Sequence, residues 1–164
     1  FPQDVTISLL IMLPCKKFTN SLELLECQVK KLAINEYGLS GKFIFTKTMS
    51  KNFFVRFFID TTTFSKKKLV RFIDIKMNGC DALRTKFDVP LVQQIVLEIR
   101  RTSNIPFQCP LEANIPYTFE NLTISDKFLN KFLPNLNFVQ EIDFYEKDTI
   151  IGSIKTIGSI LAKK

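Results

Sequence analysis

The sequence predicts a mainly β protein, a two-sheet antiparallel β-sandwich with one or two short helices. Apolar and polar residues alternate with a period of two over much of the chain, Gly and Pro are sparse, and only two stretches switch to helical spacing. The chain has 164 residues, a one-domain length that can bury roughly two-thirds of its unfolded surface. Apolar residues make up 46% of it, enough for a folded core. No internal repeat, low-complexity run or linker divides it.

Val5 to Leu13 (VTISLLIML) is far too short to span a membrane. It reads as a first β-strand or as the leftover core of a signal peptide, so residues 1–14 are set apart from a domain at 15–164. Lys42 to Lys47 (KFIFTK) is strand-like. In Asn52 to Asp60, Phe53, Val55, Phe57 and Ile59 share one face, while Phe54, Arg56, Phe58 and Asp60 share the other. Leu69 to Met77 (LVRFIDIKM) is β-rich and ends at Asn78-Gly79, a turn signal.

Pro90 to Arg101 (PLVQQIVLEIRR) breaks the alternation. A proline at the first turn and Leu91, Ile95, Val96 and Ile99 on one side predict a helix. Ile115 to Thr123 is a further strand, with Pro116 marking an edge or a strand start. Ser125 to Leu133 has a capping serine, an apolar stripe of Phe128, Leu129 and Phe132, and Pro134 as its stop, which predicts a second helix. The C-terminus reads as a hairpin. Phe138, Ile142 and Phe144 face one way, Asp148-Thr149 turns, and Ile150 to Leu161 alternates again, with Gly152 and Gly158 as bulge positions.

The stretch KNFFVRFFIDTTTFSKKK, residues 51–68, poses the functional question, because its rings and cations fit either a nucleic-acid surface or a greasy wall. A nucleic-acid platform needs exposed rings beside cations, and only Phe54 and Phe58 with Arg56 qualify locally. The wholly apolar face of Phe53, Val55, Phe57 and Ile59 reads as interior. Whether that interior is a solid core or the lining of a cavity is left open by 17 Phe against 3 Tyr and no Trp, since Phe has no polar atom to satisfy in either setting.

Histidine is absent, which removes the usual general base and the commonest metal ligand. Triad hydrolases and His-containing zinc sites are thereby disfavoured. Carboxylates occur at Glu23, Glu26, Glu36, Asp74, Asp81, Asp88, Glu141 and Asp143, but no spacing marks a catalytic pair. Glu141 and Asp143 fall on the outward face of their strand, where solvation is expected. No catalytic residue, cofactor or metal is assigned, and the expectation is a protein that is not an enzyme.

The net charge of +7 points to an anionic partner or to solvated strand ends, because the lysines and arginines are scattered as short doublets and one triplet. With the charge dispersed and no nucleic-acid motif, nucleic acid ranks low among partners. Cys15, Cys27, Cys80 and Cys109 form no CxxC. Two disulfides and an oxidising compartment are the expectation, against four buried free thiols, and three connectivities are open. Asn121-Leu122-Thr123 is a glycosylation sequon.

Several segments together resemble a known pattern. They are KLVRFIDIKMNGCDAL (68–83), the helical stretch after it, NIPFQCPLEANIPYTFENLTI (104–124) and FLPNLNFVQEIDFYEKDTIIGSIKTIGSI (132–160), with Cys15 and Cys27 flanking FTN and followed by QVKKL. This is similar to an insect family of secreted, uncharacterised proteins related to the ML lipid-recognition superfamily, which also holds the ganglioside activator and CheB-type chemosensory proteins. The resemblance runs over most of residues 15–160.

The resemblance implies a secreted, immunoglobulin-like β-sandwich whose sheets part to hold a lipid or other hydrophobic small molecule in an apolar cavity. It implies the disulfides Cys80–Cys109 and Cys15–Cys27. Phe43, Phe45, Phe53, Val55, Phe57, Ile59, Phe119, Phe138, Ile142 and Phe144 would then line the cavity. Lys66, Lys67, Lys68 and Arg71 would form a basic mouth that meets a headgroup, a membrane surface or a receptor, and Asn121 would carry a glycan. An empty cavity of about 300 Å³ costs on the order of 7 kcal/mol, against a domain stability of about 5–15 kcal/mol. Cross-links, a ligand or both are needed to keep it open.

The expected function is thus a secreted, non-enzymatic carrier of an apolar ligand, with chemosensory binding as a specialised form implied by the family. The alternative is an extracellular protein-interaction module with a solid Phe core.

Overall fold

A computed structural model of the chain describes residues 5–65, 67–84, 88, 90–106, 108–125 and 135–162. Its strands are β1 (Val5–Met12), β2 (Lys16–Lys17), β3 (Leu22–Ala33), β4 (Glu36–Phe45), β5 (Phe53–Thr63), β6 (Leu69–Asn78), β7 (Tyr117–Ser125), β8 (Leu136–Glu146) and β9 (Thr149–Ala162). Two helices, α1 (Gly79–Arg84) and α2 (Pro90–Thr102), stand between β6 and β7. The larger sheet has the order β1-β9-β8-β5-β6, with β2 also on β9, and the smaller has the order β3-β4-β7. Every pairing is antiparallel, and the two sheets form the sandwich that the alternation predicts.

Register fixes which side chains face the small sheet. Across β5 and β8, Val55 pairs with Phe144, Phe57 with Ile142 and Ile59 with Gln140. Ile73 and Ile75 of β6 and Ile154 and Thr156 of β9 continue those rows. The strand alternation read between Asn52 and Asp60 therefore survives intact. Directly opposed residues share a face, so a one-residue slip would turn the whole set outward.

Residues 22–33 and 36–41 also build strands, although only 42–47 of that region reads as one. The turn between β3 and β4 is Ile34-Asn35, with Asn35 at φ 61°, a conformation asparagine tolerates better than most side chains. The β8–β9 turn is Lys147-Asp148, one residue before the expected position, with Lys147 at φ 53°. Of the two expected bulges, the one at Gly152 is present, beside the register shift at Phe144/Tyr145. Gly158 pairs regularly with Phe138.

Asn78-Gly79 is not a hairpin turn. The Asn78 side chain caps α1, its Oδ1 accepting the Cys80 N–H at 2.9 Å and the Asp81 N–H at 3.3 Å. The same residue type that favours turns also satisfies the free amides at a helix start. Ser125 ends β7, and the rest of the predicted helix at 125–133 lies outside the described residues.

The two long sides of the sandwich are closed differently. On one, the disulfide Cys15–Cys27 ties the β1–β2 corner to β3, with a Cα–Cα distance of 6.0 Å. On the other, α2 bridges the sheets. Val92 packs on Ile59 and Ile73 of the large sheet, while Glu98 accepts the Thr123 N–H of β7 at 3.0 Å. The second disulfide, Cys80–Cys109, fastens α1 to the segment ahead of β7, with a Cα–Cα distance of 5.8 Å. Pro90 opens α2 and Arg100 and Arg101 lie in its last turn, where cations suit the helix dipole.

Candidate functional site

The interior is not uniform along its length. At one end Leu22, Phe43, Phe45, Met49, Phe53, Leu111, Tyr117 and Ile151 form one buried cluster, with Phe144 packed against it. Its rings interlock. Phe43 meets Phe45 edge-on at 5.5 Å, Phe45 meets Phe53 at 5.3 Å, and Phe53 stacks on Phe144 at 6.1 Å. Tyr117 turns its hydroxyl to accept the Glu112 N–H at 2.8 Å, so its one polar atom is satisfied.

Towards the other end the buried residues, among those described, fall into three small clusters. One holds Leu136 and Ile160, another Tyr37, and the third Ile59, Ile73 and Val92. Phe138 packs against all three and keeps part of its own surface exposed. Val55, Phe57, Gln140, Ile142 and Phe144 are also only half-buried, although they sit on the inner face of the two central strands. On the inner face of this six-stranded sheet these side chains are thus less completely covered than those of the aromatic end.

The ten residues expected to line a cavity therefore fall into separate places. Phe43, Phe45 and Phe53 belong to the packed aromatic end, with Phe144 at its margin. Phe57, Phe138 and Ile142 lie together, half-buried, on the middle of the large sheet's inner face beside the buried Ile59, and half-buried Val55 links them to the aromatic cluster, against which it also packs. Phe119 is on the small sheet, paired with Gly41, its ring against that glycine. Gln140 was not foreseen. The signal for it was its parity, which it shares with Phe138 and Ile142.

Of the basic mouth, Lys66 lies outside the described residues. Lys67 and Lys68 are exposed at the tip of the β5–β6 hairpin. Arg71 is tied to the outer face of the large sheet, where it bridges Asp60 and Asp74. Beside those lysines Phe64, Leu69 and Val70 are exposed, Leu69 by 64%. The β3–β4 tip points to the same end of the sandwich, because the start of β3 and the end of β4 meet the start of β5 in the aromatic cluster at the opposite end. It presents Leu32 and Ile34, the latter 84% exposed, next to the exposed Lys30 and Lys31.

The outer face of the large sheet carries charge. Arg56 makes a two-pronged pair with Asp74, at 2.9 and 2.8 Å, which holds the Asp74 carboxyl down at about 2. The guanidiniums of Arg56 and Arg71 lie over the Phe58 ring, 4.8 and 4.5 Å from its centre. Phe58 is thus covered by guanidiniums of its own chain, while Phe54, the other ring of that pair, is half-buried. The Glu141–Asp143 pair is not the solvated pair expected. Asp143 is only 4% exposed and accepts the Ser153 hydroxyl at 2.8 Å. Burial, and then the neighbouring Asp143, push the Glu141 carboxyl up to about 7.

All four cysteines are paired, as Cys15–Cys27 and Cys80–Cys109. Among the described residues no group of His, Cys, Asp or Glu is arranged to hold a metal ion, and no helix is long and apolar enough to cross a membrane. Asn121 of the sequon is exposed, in the irregular part of β7, at φ 51°.

A family model described as a protein of unknown function, DUF1091, matches residues 52–139, more than half of the chain. The chain belongs to that family. No curated protein matches it. The DUF1091 segment runs from the start of β5 into β8, so it takes in both helices, the disulfide Cys80–Cys109 and, of the half-buried inner face, Val55, Phe57 and Phe138.

Proposed function

We propose that this DUF1091 protein is a secreted, non-enzymatic carrier of a lipid or other hydrophobic small molecule, related to the ML lipid-recognition proteins. One observation carries the reading: the apolar inner face at Val55, Phe57, Phe138 and Ile142 keeps accessible surface in the middle of an otherwise closed sandwich. Apolar walls bind apolar molecules at roughly 25 cal/mol per Å² removed from water. The aromatic end and the two disulfides supply stability that a half-open middle lacks, and they also fit an oxidising, extracellular setting. Asn121, exposed within its sequon, fits a glycan there.

The apolar and basic tips at 30–34 and 64–70 lie at one end of the sandwich, where a carrier would meet a membrane surface to load or release its cargo. Chemosensory delivery is the specialised form of this role. The alternative reading, an extracellular interaction module, draws on the aromatic cluster, which is a solid core in its own right.

The test is titration with a fluorescent lipid probe, followed by displacement with unlabelled lipid. Saturable, displaceable binding at one site per chain is expected. No measurable affinity for any apolar probe would leave the interaction module standing alone.

A further inference from the structure

From Gln140 and Thr156 we infer a polar anchor inside the apolar site, one that selects an oxygen-bearing amphiphile, such as a long-chain alcohol, over a bare hydrocarbon or halide. This rests on the carrier reading. Gln140 lies on the inner face of β8 between Phe138 and Ile142, opposite Ile59 of β5 and Thr156 of β9. Its Oε1 accepts the Thr156 hydroxyl at 2.8 Å, and Thr156 is itself buried. The amide nitrogen, Nε2, is buried with no partner among the described residues.

Exchanging the amide ends leaves the same shortfall, because Thr156 can meet only one of them. A buried amide group without a partner is costly, and that cost disappears when a ligand oxygen arrives. A hydroxyl suits either orientation, since it both donates and accepts. The neighbours of Gln140 along the inner face of the strand, Phe138 and Ile142, keep exposed surface of their own. A ligand lodged there reaches the amide by displacing side chains, with the backbone in place. One polar group set in an apolar wall is how such sites fix a ligand's orientation.

The experiment compares 1-dodecanol with 1-chlorododecane, matched in length and shape, as competitors of bound N-phenyl-1-naphthylamine. Chlorine is a far poorer hydrogen-bond acceptor than a hydroxyl. Dodecanol should bind about tenfold tighter to the wild type, and Gln140→Met, which keeps the length without the amide, should erase the difference. Equal affinities in the wild type would overturn the anchor while both ligands still bound, leaving the carrier reading intact. A preference that survives in Gln140→Met would do the same. If neither competitor, nor the naphthylamine itself, binds at all, the carrier reading fails and the anchor falls with it. The wild-type comparison decides the matter even if Gln140→Met does not fold.

Discussion

The ring of Phe119 occupies the space into which a side chain at Gly41 would project. A β-carbon there would lie 2.4 Å from the ring's Cζ and 3.0 Å from the carbonyl oxygen of Glu26. Gly41→Ala should therefore force the β4–β7 pair apart or drive the ring off its rotamer, at a cost of about 1–3 kcal/mol. Urea denaturation of the variant measures this. Pairing it with Phe119→Leu should recover part of the loss, and an unchanged midpoint in the single variant would contradict the contact.

The two disulfides close loops of unequal length, with separations of 29 for Cys80–Cys109 and 12 for Cys15–Cys27. In the chain-entropy account the longer loop stabilises more, by about 0.8 kcal/mol. Replacing Cys80 and Cys109 by serine should thus lower the melting temperature further than replacing Cys15 and Cys27. The reverse order would mean that holding the β1–β2 corner onto β3 matters more than loop entropy.

Two carboxylates act on stability in opposite directions as pH changes. Glu141, raised to about 7 by burial and by Asp143, contributes stability that is present below its ordinary value of 4.5 and is lost as pH climbs through about 7. Asp74, held at about 2 by Arg56, contributes stability that is present above its ordinary value of 3.8 and is lost as pH falls through about 2. Their joint contribution peaks near pH 4. Melting temperatures measured from pH 3 to 8 should fall between pH 5 and 7.5 in the wild type and fall less in Glu141→Gln. The same slope in both proteins would remove Glu141 from the account.

The exposed tips predict selective contact with anionic lipid. Vesicles of phosphatidylcholine and phosphatidylserine should sediment the wild type, less so at high salt, and pure phosphatidylcholine should do so weakly. Ile34→Asp together with Leu69→Asp should cut that binding about tenfold, since each places a charge where an apolar side chain meets lipid. Both positions are exposed, so stability should change by less than about 1 kcal/mol. Undiminished binding would place the contact elsewhere.

What could be read ahead of the structure follows a physical line. β5 was legible because Phe53, Val55, Phe57 and Ile59 alternate with residues suited to the outer face, and α2 because proline and a 3.6-residue apolar spacing coincide. β3 was not legible. Its LELLE start has helix-forming residues, and a register shift between Leu22 and Leu24 breaks the alternation. Much of it is exposed, so little burial pattern marks it. Asn78 misled because turns and helix caps draw on the same side-chain chemistry.

In the candidate site, the parity of Phe138, Ile142 and Phe144 was plain, while the division between packed and half-open interior was not. That division depends on how the opposing layer covers each side chain, and no single strand records it. The burial of Asp143 was hidden for a related reason. Its cover comes from cross-strand neighbours, with Arg56 opposite it on β5 and Ser153 on β9.

The limits of the DUF1091 match carry a consequence for how this architecture can be divided. The matched segment ends at residue 139, within β8, yet β8 completes its pairing on β9, and β7 pairs with β4. Both of those partners come from chain outside the match. A fragment cut at 52 and 139 would expose two raw strand edges, one from each sheet, and such edges recruit other chains. The matched segment of this chain is not an autonomous module, and a chimera joined at its borders would need the partner strands moved with it.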